Sequence, residues 1–233
     1  MASLTSTSTS TSTSVEADAV AFMESLPVVR WDDIEAAAEV AERIARRIGE
    51  DKEVLRLLVD RVLRTPELRE QCACHALDDK IVIWDEPEKG LQIQLRLANT
   101  SQYERVHNHR YSFTALILAG AYNHTLYATD QPLDETADVT RFWPHFLREE
   151  QAGRCITLDH EQLHTTTTEP ETVLLVIQST AQKQRAFVLR QDDGTVSYRH
   201  GAAEETAERR AEMRMSDERL QHWITRLYAL GVL

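Results

Sequence analysis

The chain has 233 residues, 42% hydrophobic and 27% charged, which suits one soluble globular domain with appendages. Its formal charge of −12 argues against a nucleic-acid or anionic-membrane surface, because phosphate binding needs clustered Lys and Arg. No apolar run approaches the roughly 20 residues of a membrane helix, no apolar leader core stands at the N-terminus, and three cysteines (Cys72, Cys74 and Cys155) are too few for a disulfide scaffold, so no membrane partner and a cytoplasmic setting are expected.

Residues 4–14 alternate Ser and Thr and offer nothing to bury, so residues 1–14 are read as a disordered tail. Residues 15–78 read as a helical segment packed on the strand-rich region C-terminal to it. Trp31, Ile34, Val40, Ile44 and Ile48 recur near helical spacing behind Asp32 and Asp33, whose charges favour a helix N-terminus, and Gly49 is expected to end the run. A second helix is expected from Asp51 to Arg64, stopping before Pro66, and a shorter one from Pro66 to His75. Cys72 and Cys74 have C-x-C rather than C-x-x-C spacing and no second pair, so they are read as incidental thiols.

From residue 79 to 200 the texture is that of strands. KIVIW (80–84) and LQIQLRL (91–97) come first, and in the second Leu91, Ile93, Leu95 and Leu97 alternate with Gln92, Gln94 and Arg96. That period of two gives one face to apolar packing and the other to something polar. YERVHNH, FTALILAG, YNHTLYA, RCITL, ETVLLVI, RAFVLR and TVSYR come next, separated by turn signals at Asn99, Gly120, Gly153, Glu169-Pro170 and Asp192-Asp193-Gly194. Many short strands at close spacing predict a mainly β barrel or sandwich. Residues 129–151 read as the longest irregular insertion, either a lid or a plain connection. Residues 201–233 turn helical again, with Ser216 as N-cap of DERLQHWITRLYALG and Leu220, Ile224, Leu227 and Leu230 as its packing stripe.

Nine histidines are present, and three stand in a pattern. His107 and His109 are two apart on an expected strand, so both side chains share a face. Imidazole is the commonest metal ligand, and a pair from one strand needs a third from another segment of the sheet. His164 lies in such a segment.

This arrangement resembles the cupin superfamily, whose first motif is G-x5-H-x-H-x(3,4)-E-x6-G and whose second is G-x5-P-x-G-x2-H-x3-N. His107-Asn108-His109 carries the first motif's pair, and Gly120 matches its closing glycine. Gly153, Asp159, Glu161, His164 and Thr168 keep the spacing of the second, with Asp159, Glu161 and Thr168 in place of its Pro, Gly and Asn. The resemblance implies a cupin double-stranded β-helix, a jelly-roll barrel, with N-terminal helices and a C-terminal helix. It also implies a metal held by His107, His109 and His164. The motif's glutamate falls at Phe113 or Thr114, neither a carboxylate, so the implied site has three histidines, as in thiol dioxygenases and diketone-cleaving dioxygenases. The layout LREEQAGRCITLDHEQLHTTTTEPE is similar to the cysteine dioxygenase branch. Where that branch places its Ser, His and Tyr triad, Val173, Leu175 and Ile177 stand here, which predicts an apolar wall against the substrate.

A rival lies in His160-Glu161-Gln162-Leu163-His164, an HExxH string. Zinc proteases need it on a helix, and the flanks RCITLD and TTTTEPETV are poor helix and good strand or turn, so His160 is kept only as an extra ligand candidate. Arg105, on the expected face of His107 and His109, is a candidate catalytic residue that would pair an acidic group. Tyr111 and Tyr122 are candidates to supply hydroxyls. Arg96 and Gln94 are candidates to orient substrate, if their face looks into the barrel. The resulting expectation is a mononuclear non-haem iron(II) oxygenase. Its partners would be O2 and a small organic substrate with an apolar body and one acidic group. A Zn, Mn or Ni isomerase or lyase and a non-catalytic binding cupin are the alternatives, and a homodimer is allowed.

Overall fold

Leu91, Ile93, Leu95 and Leu97 are fully buried, yet so is Gln94 on the opposite face of the same strand. Both faces of this strand are therefore covered, and by different things. The computed structural model describes residues 17–190, 192–201 and 204–233, so the Ser/Thr tail lies outside the described residues. Residues 17–24 form α1, followed by α2 (Ile34–Glu50), α3 (Lys52–Val62) and α4 (Pro66–Arg69). Among the described residues twelve strands come after them: β1 (Ala73–Cys74), β2 (Asp78–Glu86), β3 (Leu91–Ala98), β4 (Gln102–Tyr103), β5 (Phe113–Ala119), β6 (Ala121–Thr129), β7 (Phe142–Gln151), β8 (Cys155–Leu158), β9 (Leu163–Thr168), β10 (Val173–Gln178), β11 (Ala186–Arg190) and β12 (Thr195–Arg199). The chain closes with α5 (Ala207–Met213) and α6 (Asp217–Ala229).

The larger sheet runs β1-β2-β3-β10-β5-β8 and the smaller β4-β9-β6-β7, all pairs antiparallel. Counting β3 to β10 as eight strands, the first, eighth, third and sixth lie in one sheet and the second, seventh, fourth and fifth in the other. That is the jelly-roll order, two Greek keys closed on one another. The hairpin β11–β12 docks at the end of the smaller sheet, where His107 makes single bridges to His164 and Val188.

The principal apolar core lies outside the barrel. Ala41, Ile44 and Ile48 of α2, Leu55 and Leu58 of α3, and Leu220, Trp223 and Leu227 of α6 pack on the outer face of the larger sheet, against Ile81, Ile83, Leu95, Leu116 and Leu175. Each such fully buried side chain contributes roughly 2 kcal/mol. Asp33, Asp51 and Ser216 cap α2, α3 and α6 by accepting from the third backbone N–H beyond each. Gly49 does not end α2, which runs on to Glu50. A Cβ there would lie 2.8 Å from Leu116 Cδ2, so the glycine serves close approach of helix to sheet. Asp79, 1% exposed, ties α6 to the sheet by accepting from Trp223 Nε1 and Arg219 Nε, each at 2.5 Å, and from Asn99 Nδ2 at 3.1 Å. Among the described residues no helix is long and apolar enough to cross a membrane.

Three local expectations are corrected. Residues 66–75 are not one helix, because the chain leaves α4 after Arg69 to pair Ala73–Cys74 with β2. Residues 103–109 are not one strand: regular pairing covers only Gln102–Tyr103, and beyond it the backbone is shared between β9 and β11. Residues 142–151 are not irregular but form β7, paired with β6 along its length. The strand leaves no mark in the sequence because it is an edge, exposed on both faces except at Phe142 and Glu150, so no alternation develops.

Gly120, in the turn from β5 to β6, has φ +77°, and a Cβ there would fall 2.5 Å from Thr172 Oγ1 and 2.8 Å from its Cα. Both backbone strain and a clash with main chain oppose any side chain. Gly120→Ala is expected to cost about 2 kcal/mol, read as a lower urea midpoint at unchanged slope; an unchanged midpoint would refute the assignment.

Candidate metal centre

Single backbone bridges, rather than a regular strand, place the histidines. His107 N donates to His164 O and His164 N to His107 O, each at 2.9 Å. Asn108, buried between them and β11, accepts from Phe187 N at 2.7 Å and donates its own N–H to Phe187 O at 3.1 Å. The extended segment still puts the His107 and His109 rings on one side, their centroids 4.7 Å apart, with His164 at 4.6 and 5.0 Å from them. One ring nitrogen from each of the three lies within 4.8 Å of the others.

Hydrogen bonds behind the rings decide which nitrogen faces the centre. His107 Nδ1 is 2.8 Å from Arg105 O, an acceptor only, so Nδ1 donates and Nε2 keeps its lone pair. His164 Nδ1 lies 3.0 Å from His124 Nε2, while its own Nε2 sits 2.7 Å from His109 Nε2. His124 Nδ1 in turn faces the buried Glu150 carboxylate at 3.8 Å, and Arg148 pairs with that carboxylate from outside. A second imidazole hydrogen-bonded behind the first, here His124 behind His164, is one way that the tautomer and basicity of a metal-binding ring are fixed. Burial holds His107, His109 and His164 below the ordinary imidazole range, the last two well below it; neighbouring rings add to the effect at His109 and His164, the Arg199 charge adds at all three, and the Glu104 carboxylate opposes it at His107. Burial and the Arg148 charge take His124 down to about 4. All four rings are therefore neutral at pH 7, the form that binds metal. Three convergent neutral imidazole nitrogens suit a divalent transition metal, and carbonyl-seeking Mg or Ca fits them poorly.

The centre opens on a cavity of about 120 Å³ inside the barrel. His109 and His164 line it, with Phe113, Ala115, Ile156, Leu158, Leu174 and Val176 forming an apolar wall. The polar face of β3 does look inward. Arg96 lines the cavity and holds Asp78 bidentately, Nε to Oδ2 at 2.8 Å and Nη2 to Oδ1 at 2.7 Å, and Gln94 lies beside it. Tyr111 and Tyr122 also line the cavity, the Tyr111 ring 5.6 Å from that of His109. Burial pushes the Tyr122 hydroxyl well up, so it stays protonated.

Other expected site residues lie elsewhere. Val173, Leu175 and Ile177 face the helices, because β10 is in register with β3 through Leu175↔Leu95 and both strands give their most apolar face to the outer core. The inward residues are their neighbours Leu174 and Val176, a shift of one that moves every side chain to the other face. Arg105 points away and pairs with Asp192 at 3.0 Å, with nearly half of its side chain exposed. His160 is not in the cluster: its Nδ1 faces Ser112 Oγ and Asp159, and residues 159–162 form a turn into β9 rather than a helix. His75 is half-buried, and burial followed by the Arg96 charge lowers it to about 4.

Sequence reasoning missed Glu104 and Asp78, and His124 stands behind the cluster as a partner of His164. His124 shares the alternation of β6 with Tyr122, and that signal was available. Glu104, outside any regular strand, reaches within 3.9 Å of His107 Nε2 and accepts from Thr166 Oγ1 at 2.9 Å.

No protein-family model matches the chain, and no curated protein matches it. Among solved structures it is similar to KdgF from a Halomonas species, at 14% identity and TM-score 0.35 over 48% of this chain and 87% of that one. A RmlC-like cupin from Shewanella frigidimarina is similar at 13% identity and TM-score 0.35, over 47% and 81%. Hydroquinone 1,2-dioxygenase PnpCD, solved with Cd2+ and 4-hydroxybenzonitrile, is similar at 11% identity and TM-score 0.33, over 43% and 63%. The strand order of this chain itself makes its barrel a jelly roll with flanking helices, the architecture that the resemblance to cupins implies.

Proposed function

We propose that the chain is a mononuclear iron(II) oxygenase acting on a small organic molecule held in the barrel. The observation that carries the reading is the set of three neutral imidazoles, two of which, His109 and His164, line a cavity with an apolar wall. His107, His109 and His164 would hold the ion, and three ligands leave other positions free for exogenous molecules. Iron(II), when bound, supplies the activation of O2. The chain supplies the rest. Phe113, Ile156, Leu158, Leu174 and Val176 exclude water and bury the substrate's carbon, at roughly 25 cal/mol per Å². Asp78 takes Nε and Nη2 of Arg96, leaving Nη1 to hydrogen-bond a substrate oxygen. Because Asp78 already balances that charge, Arg96 is a weaker anchor for an acidic group than its sequence implies. Cys72, Cys74 and Cys155 are free thiols, and we place the protein in a reducing cytoplasm on that ground.

Oxygen uptake by iron(II)-loaded protein against a panel of small cyclic and aliphatic compounds tests the reading. Uptake matched to loss of one compound is expected. Cysteine should give none above background, because Leu174 and Val176, the β10 side chains at the cavity, neither donate nor accept hydrogen bonds. Conversion of a compound by the zinc- or manganese-loaded protein without O2 would replace the oxygenase reading with an isomerase or lyase. Uptake with cysteine would reinstate thiol oxidation.

A further inference from the structure

Gln94 is 1% exposed, lines the cavity, and carries a buried Oε1 with no hydrogen-bond partner among the described residues. A buried acceptor left unpaired is costly, and native proteins rarely keep one without a use. Its other end is not free to turn. Gln94 Nε2 donates to Gln178 Oε1 at 2.6 Å, and Gln178 Nε2 donates to Gln92 Oε1 at 3.1 Å. Gln92 Nε2 donates to Gln71 Oε1 at 3.0 Å and to Asp85 Oδ1 at 3.2 Å, and Gln71 Nε2 closes the series on Asp85 Oδ2 at 2.8 Å. Asp85, Gln92 and Gln178 stand in one row across β2, β3 and β10.

The direction of this series is set by chemistry rather than by the placement of any one amide. An ionised carboxylate only accepts. Asp85 therefore draws the N–H ends of Gln71 and Gln92 toward itself. Gln92 must then offer its carbonyl to Gln178, and Gln178 its carbonyl to Gln94. Turning Gln94 alone would set two carbonyl oxygens face to face, and turning the whole series would set carbonyls against the carboxylate. The end that reaches the cavity is a carbonyl oxygen.

We infer that Gln94, through an amide relay polarised by Asp85, selects a substrate that donates an O–H or N–H hydrogen bond into the cavity. Arg96, two residues along the same face of β3, offers a donor beside this acceptor. The pair matches a group that both gives and takes a hydrogen bond, such as a hydroxyl on a compact apolar body. A carboxylate at this position would meet the Gln94 carbonyl and be rejected. The inference deepens the proposed function, resting on its reading of the cavity as the substrate site and not on which metal is bound.

Cyclopentanol and cyclopentanone test it, since they are alike in size and differ in the donor. Their dissociation constants are measured by calorimetry on the full chain, zinc-loaded and metal-free. The wild-type protein is expected to bind the alcohol at least about tenfold more tightly than the ketone. Gln94→Leu should bring that ratio to within about twofold of one. Asp85→Lys replaces the acceptor at the exposed end by a donor, so the relay turns and the ratio falls to one or below. A merely structural role for Asp85 would leave the ratio unchanged. A wild-type ratio near one, a preference that survives in either variant, or failure of cyclopentanol to bind at millimolar concentration overturns the inference. Metal content and O2 uptake are separate measurements, so those results leave the oxygenase reading standing.

Discussion

His164→Ala should empty the metal centre, taking the purified protein from about one divalent ion per chain to near none. The expectation comes from how much converges on this one ring. Its Nε2 lies 2.7 Å from His109 Nε2, its Nδ1 is held by His124 at 3.0 Å, and its backbone pairs with that of His107. Removing it leaves two ligands from one short segment, and two imidazoles do not hold a labile ion through purification. His124→Phe keeps all three ligands and removes only the group behind His164, for which an affinity loss of roughly 10- to 100-fold is expected. Elemental analysis and competitive zinc titration read both variants, with circular dichroism to show that the barrel persists. Wild-type metal content in His164→Ala would remove the three-histidine site, and wild-type affinity in His124→Phe would remove the role given to His124.

Asp79→Ala should destabilise the fold by about 3 kcal/mol. The carboxylate is buried, and its loss leaves Trp223 Nε1 without an acceptor and the Arg219 guanidinium without its counter-charge. Burial alone pushes the Asp79 carboxyl up, but hydrogen bonds from Trp223, Asn99 and Arg219, with the Arg219 charge, outweigh it and set the group below the usual carboxylate range. That direction fixes the sign of the pH dependence. A depressed pKa contributes stability that is complete above the unfolded value of about 3.9 and is lost as pH falls through the folded value. The gap between wild type and Asp79→Ala in urea unfolding should thus be widest near neutrality and narrow in acid below about pH 4. A gap that stays constant through that range would mean the cost is packing and not the charge.

Much of this architecture was legible because local rules act locally. Ser216 as N-cap, Pro66 as a stop and the alternation of residues 91–97 each rest on a few adjacent residues. The cluster of three histidines was legible for a different reason: metal chemistry restricts residue type, and the spacing survived in both motifs. What failed required knowledge of the neighbour. Val173, Leu175 and Ile177 are as apolar as a pocket wall should be, but the helical layer claims them, and nothing within β10 says which apolar face meets helices. Arg105 shares the parity of His107 and His109, but the backbone there is not a regular strand, so parity does not carry over to it. The glutamine relay was invisible because its members come from a loop and three strands, joined only by register.

The placement of the main apolar core outside the barrel has an evolutionary consequence. Stability and selectivity reside on opposite faces of the same strands, so they can change separately. Exchanges at Leu174, Val176, Ile156 or Leu158 reshape the chamber while the contacts between helices and sheet that hold the molecule together are left in place. A scaffold wired in this way can change the lining of its chamber by few mutations, and the same inward positions are the rational targets for a library that reshapes the chamber.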